Sequence, residues 1–166
     1  MNPIHSRASA AEVARAATSV VELLELLWEG GREAASVAPV SPSQLRVLFI
    51  LEHQQGINLR TLSDALDSTP PSVSRLCDRL QAVGFIERAP SANSRRELEL
   101  RLTGPGRLFL ADLRSRREAE MSRILAVMPA AQRQSLLDGM RAFRTAAVSV
   151  GADGRQNNTD AGRRTA

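Results

Sequence analysis

Lysine and tyrosine do not occur in this chain, and tryptophan and cysteine occur once each. Aromatic residues make up only 3% of the 166 positions, which counts against a platform of stacked rings for unpaired bases. A lone cysteine, Cys77, cannot close an internal disulfide, which fits a reducing compartment. No apolar run approaches the roughly 18 residues of a membrane-spanning helix. The opening stretch MNPIHSRASAAEVARAATSV lacks the apolar core of a secretory signal. These absences predict a cytoplasmic protein with no membrane partner. A glycine-rich phosphate loop, an HExxH pair and a nucleophile elbow are also missing, so an enzyme is not expected. His5 and His53 have no ligand spacing with each other or with Cys77, so neither metal nor other cofactor is expected.

What the chain does have is arginine and apolar side chains. At 43% hydrophobic it can build a core, and its length suits one domain with extensions. All 22 basic residues are arginine. Residues 1–59 hold 4 Arg against 6 acids, residues 60–117 hold 11 against 7, and residues 118–166 hold 7 against 5. The excess of +4 in the middle block is the footprint expected of a phosphate-binding surface.

Apolar spacing predicts a first helix over 9–29, with Val13, Ala17, Val20, Leu24 and Leu27 on one line and Gly30–Gly31 ending it. Ser41 followed by Pro42 starts a second, which buries Leu45, Leu48, Phe49 and Leu51. Ile57 forms a very short strand, and Asn58 caps a third helix carrying Leu59, Leu62 and Leu66. After the turn DSTPP a fourth helix buries Val73, Leu76, Cys77 and Leu80, with Gly84 as its C-terminal cap. Helix, tight turn and helix of these lengths make a helix-turn-helix. A strand over 85–88, a polar loop, and the alternating ELELRLT with Leu98, Leu100 and Leu102 on one side then form a wing. Thr103 caps a fifth helix with Leu108, Leu113, Met121, Ile124, Leu125 and Met128 as its apolar positions, broken by Pro129. A sixth helix over 130–148 carries Leu136, Met140 and Phe143, and the aperiodic tail 149–166 is expected to be disordered.

LSDAL, PPSVSRLCDRLQAVGFIER and SRRELELRLTGPG together resemble the winged-helix region of the MarR family of bacterial transcriptional regulators, over about residues 41–110. The resemblance implies a mainly α fold with a small β-wing: a winged helix-turn-helix lobe (41–104), a dimerisation domain built from an N-terminal arm and helix (1–40) and C-terminal helices (105–148), then the tail. It also implies a homodimer that binds double-stranded DNA at a pseudo-palindrome, with DNA affinity controlled by a small molecule, a metal or an oxidant; the expected outcome is repression by occlusion of a promoter. The alternative is a winged-helix protein-interaction module without specific DNA binding.

On that reading the recognition helix 70–83 enters the major groove and the wing 89–97 the minor groove. The groove-facing residues are Ser68, Thr69, Pro70, Pro71, Ser72, Ser74, Arg75 and Arg79. Thr69 is placed to cap the helix, and helix N-termini attract phosphate through free N–H groups. Pro70 and Pro71 remove two such donors and leave the helix start undecided between them. Arg75 suits a bidentate contact to guanine, and Arg79 the backbone. At the wing tip Arg95 suits a narrow minor groove and Arg96 a backbone contact, or the reverse. The family's usual acidic brace for the wing arginine is replaced here by Asn93 and Ser94, a weaker partner. Pro105 departs from the charged residue common at that point. The implied dimer contacts are Val13, Ala17, Val20, Leu24, Leu136, Met140 and Phe143. Trp28, Phe49 and Phe109 would converge on an effector pocket or serve as ordinary core. Cys77 falls on the core face and is read as a small hydrophobe rather than a redox sensor.

Overall fold

The structure, a computed structural model, describes residues 8–33, 40–91 and 97–163, and only the backbone of 29–33 and 151–163. Six α-helices and two strands follow in the order α1 (Ala10–Glu33), α2 (Pro42–His53), α3 (Leu59–Leu66), α4 (Pro70–Ala82), β1 (Ile86–Pro90), β2 (Leu98–Leu102), α5 (Gly104–Ala126) and α6 (Ala130–Arg163). The chain divides into two compact units, residues 1–118 and 119–166, with the boundary inside α5.

Local chemistry starts and stops most of these elements. Ser41 caps α2 in a capping box: its hydroxyl accepts from Gln44 N (3.3 Å) and Gln44 Oε1 accepts from Ser41 N (2.8 Å). Asn58 Oδ1 accepts from Thr61 N at 2.9 Å and opens α3. Asp67 closes α3 in the left-handed region (φ 50°), where a short polar side chain is tolerated. Gly84 (φ 76°) completes a Schellman close to α4, with Gly84 N donating to Gln81 O and Phe85 N to Leu80 O.

One core serves α2, α3, α4, the hairpin and the start of α5. It consists of Leu45, Val47, Leu48, Leu51, Leu62, Leu66, Val73, Cys77, Leu80, Ile86, Leu100, Leu102 and Leu110. Each fully buried leucine contributes about 1.5–3 kcal/mol by leaving water. The strands pair antiparallel with Ile86 opposite Leu102 and Pro90 opposite Leu98, and Ile57 adds a single bridge to Leu100.

The structure corrects several expectations. α1 runs through Gly30–Gly31 to Glu33, because glycine weakens a helix by about 1 kcal/mol without blocking its hydrogen bonds. α6 continues past 148 to Arg163: losing apolar periodicity removes a packing face, not the backbone ladder, and no proline intervenes. Leu98 is 55% exposed, since the hairpin outruns the core beneath Leu100 and Leu102. Leu108 is 73% exposed and Leu110 is buried in its place. The cause is Gly106, whose Cα lies so close to the turn before β1 that an added Cβ would sit 2.2 Å from Phe85 O. That contact points the Gly106–Leu110–Leu113 line, not Leu108, at the core. Leu59, Phe49 and Leu76 are half-buried at its margin.

Candidate nucleic-acid interface

α4 is two-faced. Val73, Cys77 and Leu80 are buried, while Pro70, Pro71, Ser72, Arg75 and Arg79 are exposed. Ser68 and Thr69, in the turn before it, are exposed as well, and Ser74 is half-buried at the boundary. Ser72, Arg75 and Arg79 follow i, i+3, i+7 spacing and so share one side of the helix. Arg75 folds back to donate from Nε to Pro71 O at 3.4 Å, a weak contact that leaves the guanidinium tip outward.

The helix begins at Pro70, and Thr69 stands at the N-cap position without capping it. Its hydroxyl donates instead to Ser72 Oγ at 3.0 Å. The expected cap fails because the next two residues have no N–H to offer, and the first that do, Ser72 and Val73, both donate to Thr69 O (3.0 and 3.1 Å). The first two N–H groups of this helix are thus taken up by Thr69 O, and the prolines offer none.

The wing is fastened to α4 by an arrangement that sequence reading did not find. Arg88 on β1 donates from Nη2 to Asp78 Oδ1 (2.7 Å) and from Nη1 to Gln81 Oε1 (2.6 Å). Both partners lie on α4, so the strand leading into the wing and the exposed helix are held at a fixed offset. The only signal available beforehand was that an arginine in a short strand needs a carboxylate nearby. Ser91 N donates to Glu97 O at 2.9 Å and closes the hairpin mouth. Ser94, Arg95 and Arg96 lie outside the described residues.

Thr103 joins the hairpin to α5. Its hydroxyl donates to Gly84 O (2.6 Å) and accepts from Gly106 N (3.1 Å), so the expected cap is present and also ties to the end of α4. Pro105 fits within the first turn of α5, where no N–H is needed. Gln55 Oε1 accepts from Leu102 N (3.0 Å), and Arg107 donates to Leu102 O (2.8 Å). Farther along, Arg114 pairs with Glu52 on α2 through both terminal guanidinium nitrogens, which holds the Glu52 carboxyl below its usual value.

Cys77 is fully buried, and loss of hydration pushes its thiol up to about 11. It is protonated at neutral pH, as a core residue should be. The three candidate pocket aromatics are half-buried and have three different neighbours. Phe109 stacks on Phe85 with centroids 4.7 Å apart, Phe49 lies 5.8 Å from the Arg114 guanidinium, and Trp28 lies 4.3 Å from that of Arg117. Trp28 Nε1 is buried with no acceptor among the described residues. Of the candidate dimer residues, Val13, Ala17, Val20, Met140 and Phe143 are exposed, and Leu24 and Leu136 are half-buried.

Three helices around a buried core, the third with its outer face exposed and followed at once by a braced antiparallel hairpin, define a winged helix-turn-helix protein. The profile of the MarR family matches residues 40–98, which span α2 through the first residue of β2. The chain is 25% identical over 118 residues to the HTH-type transcriptional repressor MdtR of Bacillus subtilis, covering 71% of this chain and 74% of that one. It is 33% identical over 89 residues to the transcriptional repressor MprA of Escherichia coli, covering 52% of this chain and 51% of that one. Among solved structures, RV1404 from Mycobacterium tuberculosis superposes with a TM-score of 0.71 at 30% identity, covering 87% of this chain and 98% of that chain. This chain belongs to the MarR family.

Proposed function

We propose that the protein is a DNA-binding transcriptional regulator that works as a homodimer in the cytoplasm and represses by occupying a promoter, without enzymatic activity. The observation that carries this reading is the outer face of α4. Pro70, Pro71, Ser72, Arg75 and Arg79 are all exposed on a helix whose other side is buried, immediately beside a hairpin braced to it through Arg88. Small residues at the helix start allow close approach to a groove, and the arginines supply charge and a bidentate donor. Membership of the family that also contains the repressors MdtR and MprA supports the same reading.

In this account residues 41–104 form the reading lobe, with Ser68, Thr69 and Ser72 near the sugar–phosphate chain, Arg75 at a base edge and Arg79 at the backbone. The wing tip, with Ser94, Arg95 and Arg96, reaches the adjacent minor groove. The dimer is supported by exposed apolar side chains on α1 and α6, among them Val20, Leu26, Phe143 and Val148, which on a lone chain would face water. Two lobes related by a two-fold axis read half-sites about 10 base pairs apart. A small-molecule effector at Trp28 is supported by its buried indole N–H, which has no acceptor among the described residues, whereas Phe49 and Phe109 lie against other neighbours.

The test compares wild type with Arg75→Ala on a duplex bound by wild type and on single-base variants of it. Loss of a bidentate guanine contact costs about 1–3 kcal/mol and relaxes preference at one position of each half-site. A protein-interaction module would show neither DNA affinity nor any effect of Arg75→Ala.

A further inference from the structure

The prolines that open α4 leave this helix without the N–H groups that usually hold a phosphate, yet a lobe that sits in a groove needs a fixed point on the sugar–phosphate chain. Beside the helix start lies an open groove of about 260 Å³, walled by Ser43 and Arg46 of α2, Ser68 of the turn and Ser72 of α4, with Leu66 and Leu76 beneath. From these positions we infer that the groove is a backbone-phosphate seat, with Arg46 as its charged residue and Ser43 and Ser72 as hydroxyl donors, the Ser68 hydroxyl being turned to Leu66 O. The inference rests on the DNA-binding reading above and adds α2 to the contact surface.

Three observations converge on it. Arg46 is exposed while Gln44, Leu45, Val47 and Leu48 around it are buried, and it has no acidic partner among the described residues, so its charge is available. None of the groove-lining residues is acidic. The Ser72 hydroxyl accepts from Thr69 Oγ1, which leaves its own hydrogen for a further acceptor. Guanidinium and hydroxyl donors at the rim of a small concavity suit a tetrahedral monoanion with several acceptor oxygens. Ser72 also belongs to the exposed side of α4. A phosphate in the groove would therefore flank the bases that α4 faces. The contact would fix the register of the lobe and carry no sequence information.

The test uses the full chain, a fluorescent duplex that wild type binds, and the variants Arg46→Ala and Arg46→Gln, the second retaining the aliphatic stem. Both variants should keep the wild-type circular dichroism and melting profile, since Arg46 is exposed. Each neutralised phosphate contributes about 0.9 to the slope of log K against log salt, so removal of one per protomer should lower a dimer's slope by about 1.8. Affinity should fall alike for all duplex sequences, in contrast to Arg75→Ala. A single neutral methylphosphonate, moved along the backbone of the duplex, should weaken wild type at one position per half-site and leave Arg46→Ala unaffected there. An unchanged salt slope, or methylphosphonates that weaken wild type and variant equally at every position, would overturn the seat while leaving the regulator reading intact. Wild type that binds no duplex in a salt-dependent way would overturn both.

Discussion

Replacing Gly106 with alanine should damage this protein more than the addition of a single methyl group suggests. The new Cβ would lie 2.2 Å from Phe85 O and 2.9 Å from Leu102 Cδ1. The leucine methyl can turn aside, but the carbonyl oxygen is backbone, held where Thr103 N donates to it at 3.0 Å. Optimal non-bonded separations are near 3.5 Å, so α5 and the turn before β1 would have to part by roughly 1 Å. That shift would disturb the Thr103 link to Gly84 and the Phe85–Phe109 stack as well. Forced overpacking costs about 1–3 kcal/mol, at the upper end where backbone must move. Alanine's better helix propensity returns at most about 1 kcal/mol, leaving a net loss of about 2 kcal/mol. In a chain of this size each kcal/mol lowers the melting temperature by about 2–4 °C, so a drop of about 4–8 °C is expected. Gly104→Ala and Gly139→Ala are the controls, because a Cβ at either meets nothing within 4 Å. Both should leave stability unchanged or raise it by up to about 1 kcal/mol. Urea unfolding followed by circular dichroism, at one fixed protomer concentration, measures all three. Gly106→Ala as stable as Gly104→Ala would refute the close approach of α5 to the turn and the reason given for the burial of Leu110.

Other outcomes follow from single contacts. Arg88→Ala frees Asp78 and Gln81 from β1, and as a partly exposed pair it should cost stability only about 1 kcal/mol. It should, however, loosen the wing and weaken DNA binding more than that figure, as read by anisotropy beside a urea titration. Cys77 should react with a thiol reagent only as fast as the lobe opens, and Cys77→Ser should lower stability by leaving a hydroxyl in apolar core. Because burial raises the thiol from 9.0 to about 11, its contribution is full below pH 9 and is lost as pH rises toward 11, which urea midpoints against a Cys77→Ala control would show. The lowered Glu52 carboxyl works in the opposite sense. Its pairing with Arg114 helps at neutral pH and is lost as pH falls through the depressed folded value, so the gap between wild type and Glu52→Gln should close in acid.

The elements that could be read from the sequence were those fixed by neighbours in the chain. Ser41–Pro42, Asn58 and Gly84 each act within one helical turn, and each stands where local pattern placed it. Alternation in ELELRLT likewise gave Leu100 and Leu102 as inward-facing. What escaped were contacts between residues far apart. Leu110 rather than Leu108 is buried because Gly106 meets Phe85, a fact of packing that helical spacing alone cannot carry. Arg88 reaches back to α4, and Arg46 borders a groove completed by residues from the following turn and helix. The start of α4 was ambiguous for a related reason: which proline begins the helix depends on how Thr69 O is shared by Ser72 and Val73. The arginines of the wing rest on resemblance and on their place in the loop.

The central claim is that the exposed face of α4 reads a DNA sequence, and selection of bound duplexes from a random pool tests it most directly. Full-length wild type should enrich a pseudo-palindrome with half-sites about 10 base pairs apart, and Arg75→Ala should flatten one position in each half. Enrichment of no motif by wild type, with binding that is absent or indifferent to salt, would contradict the account and put protein interaction in its place.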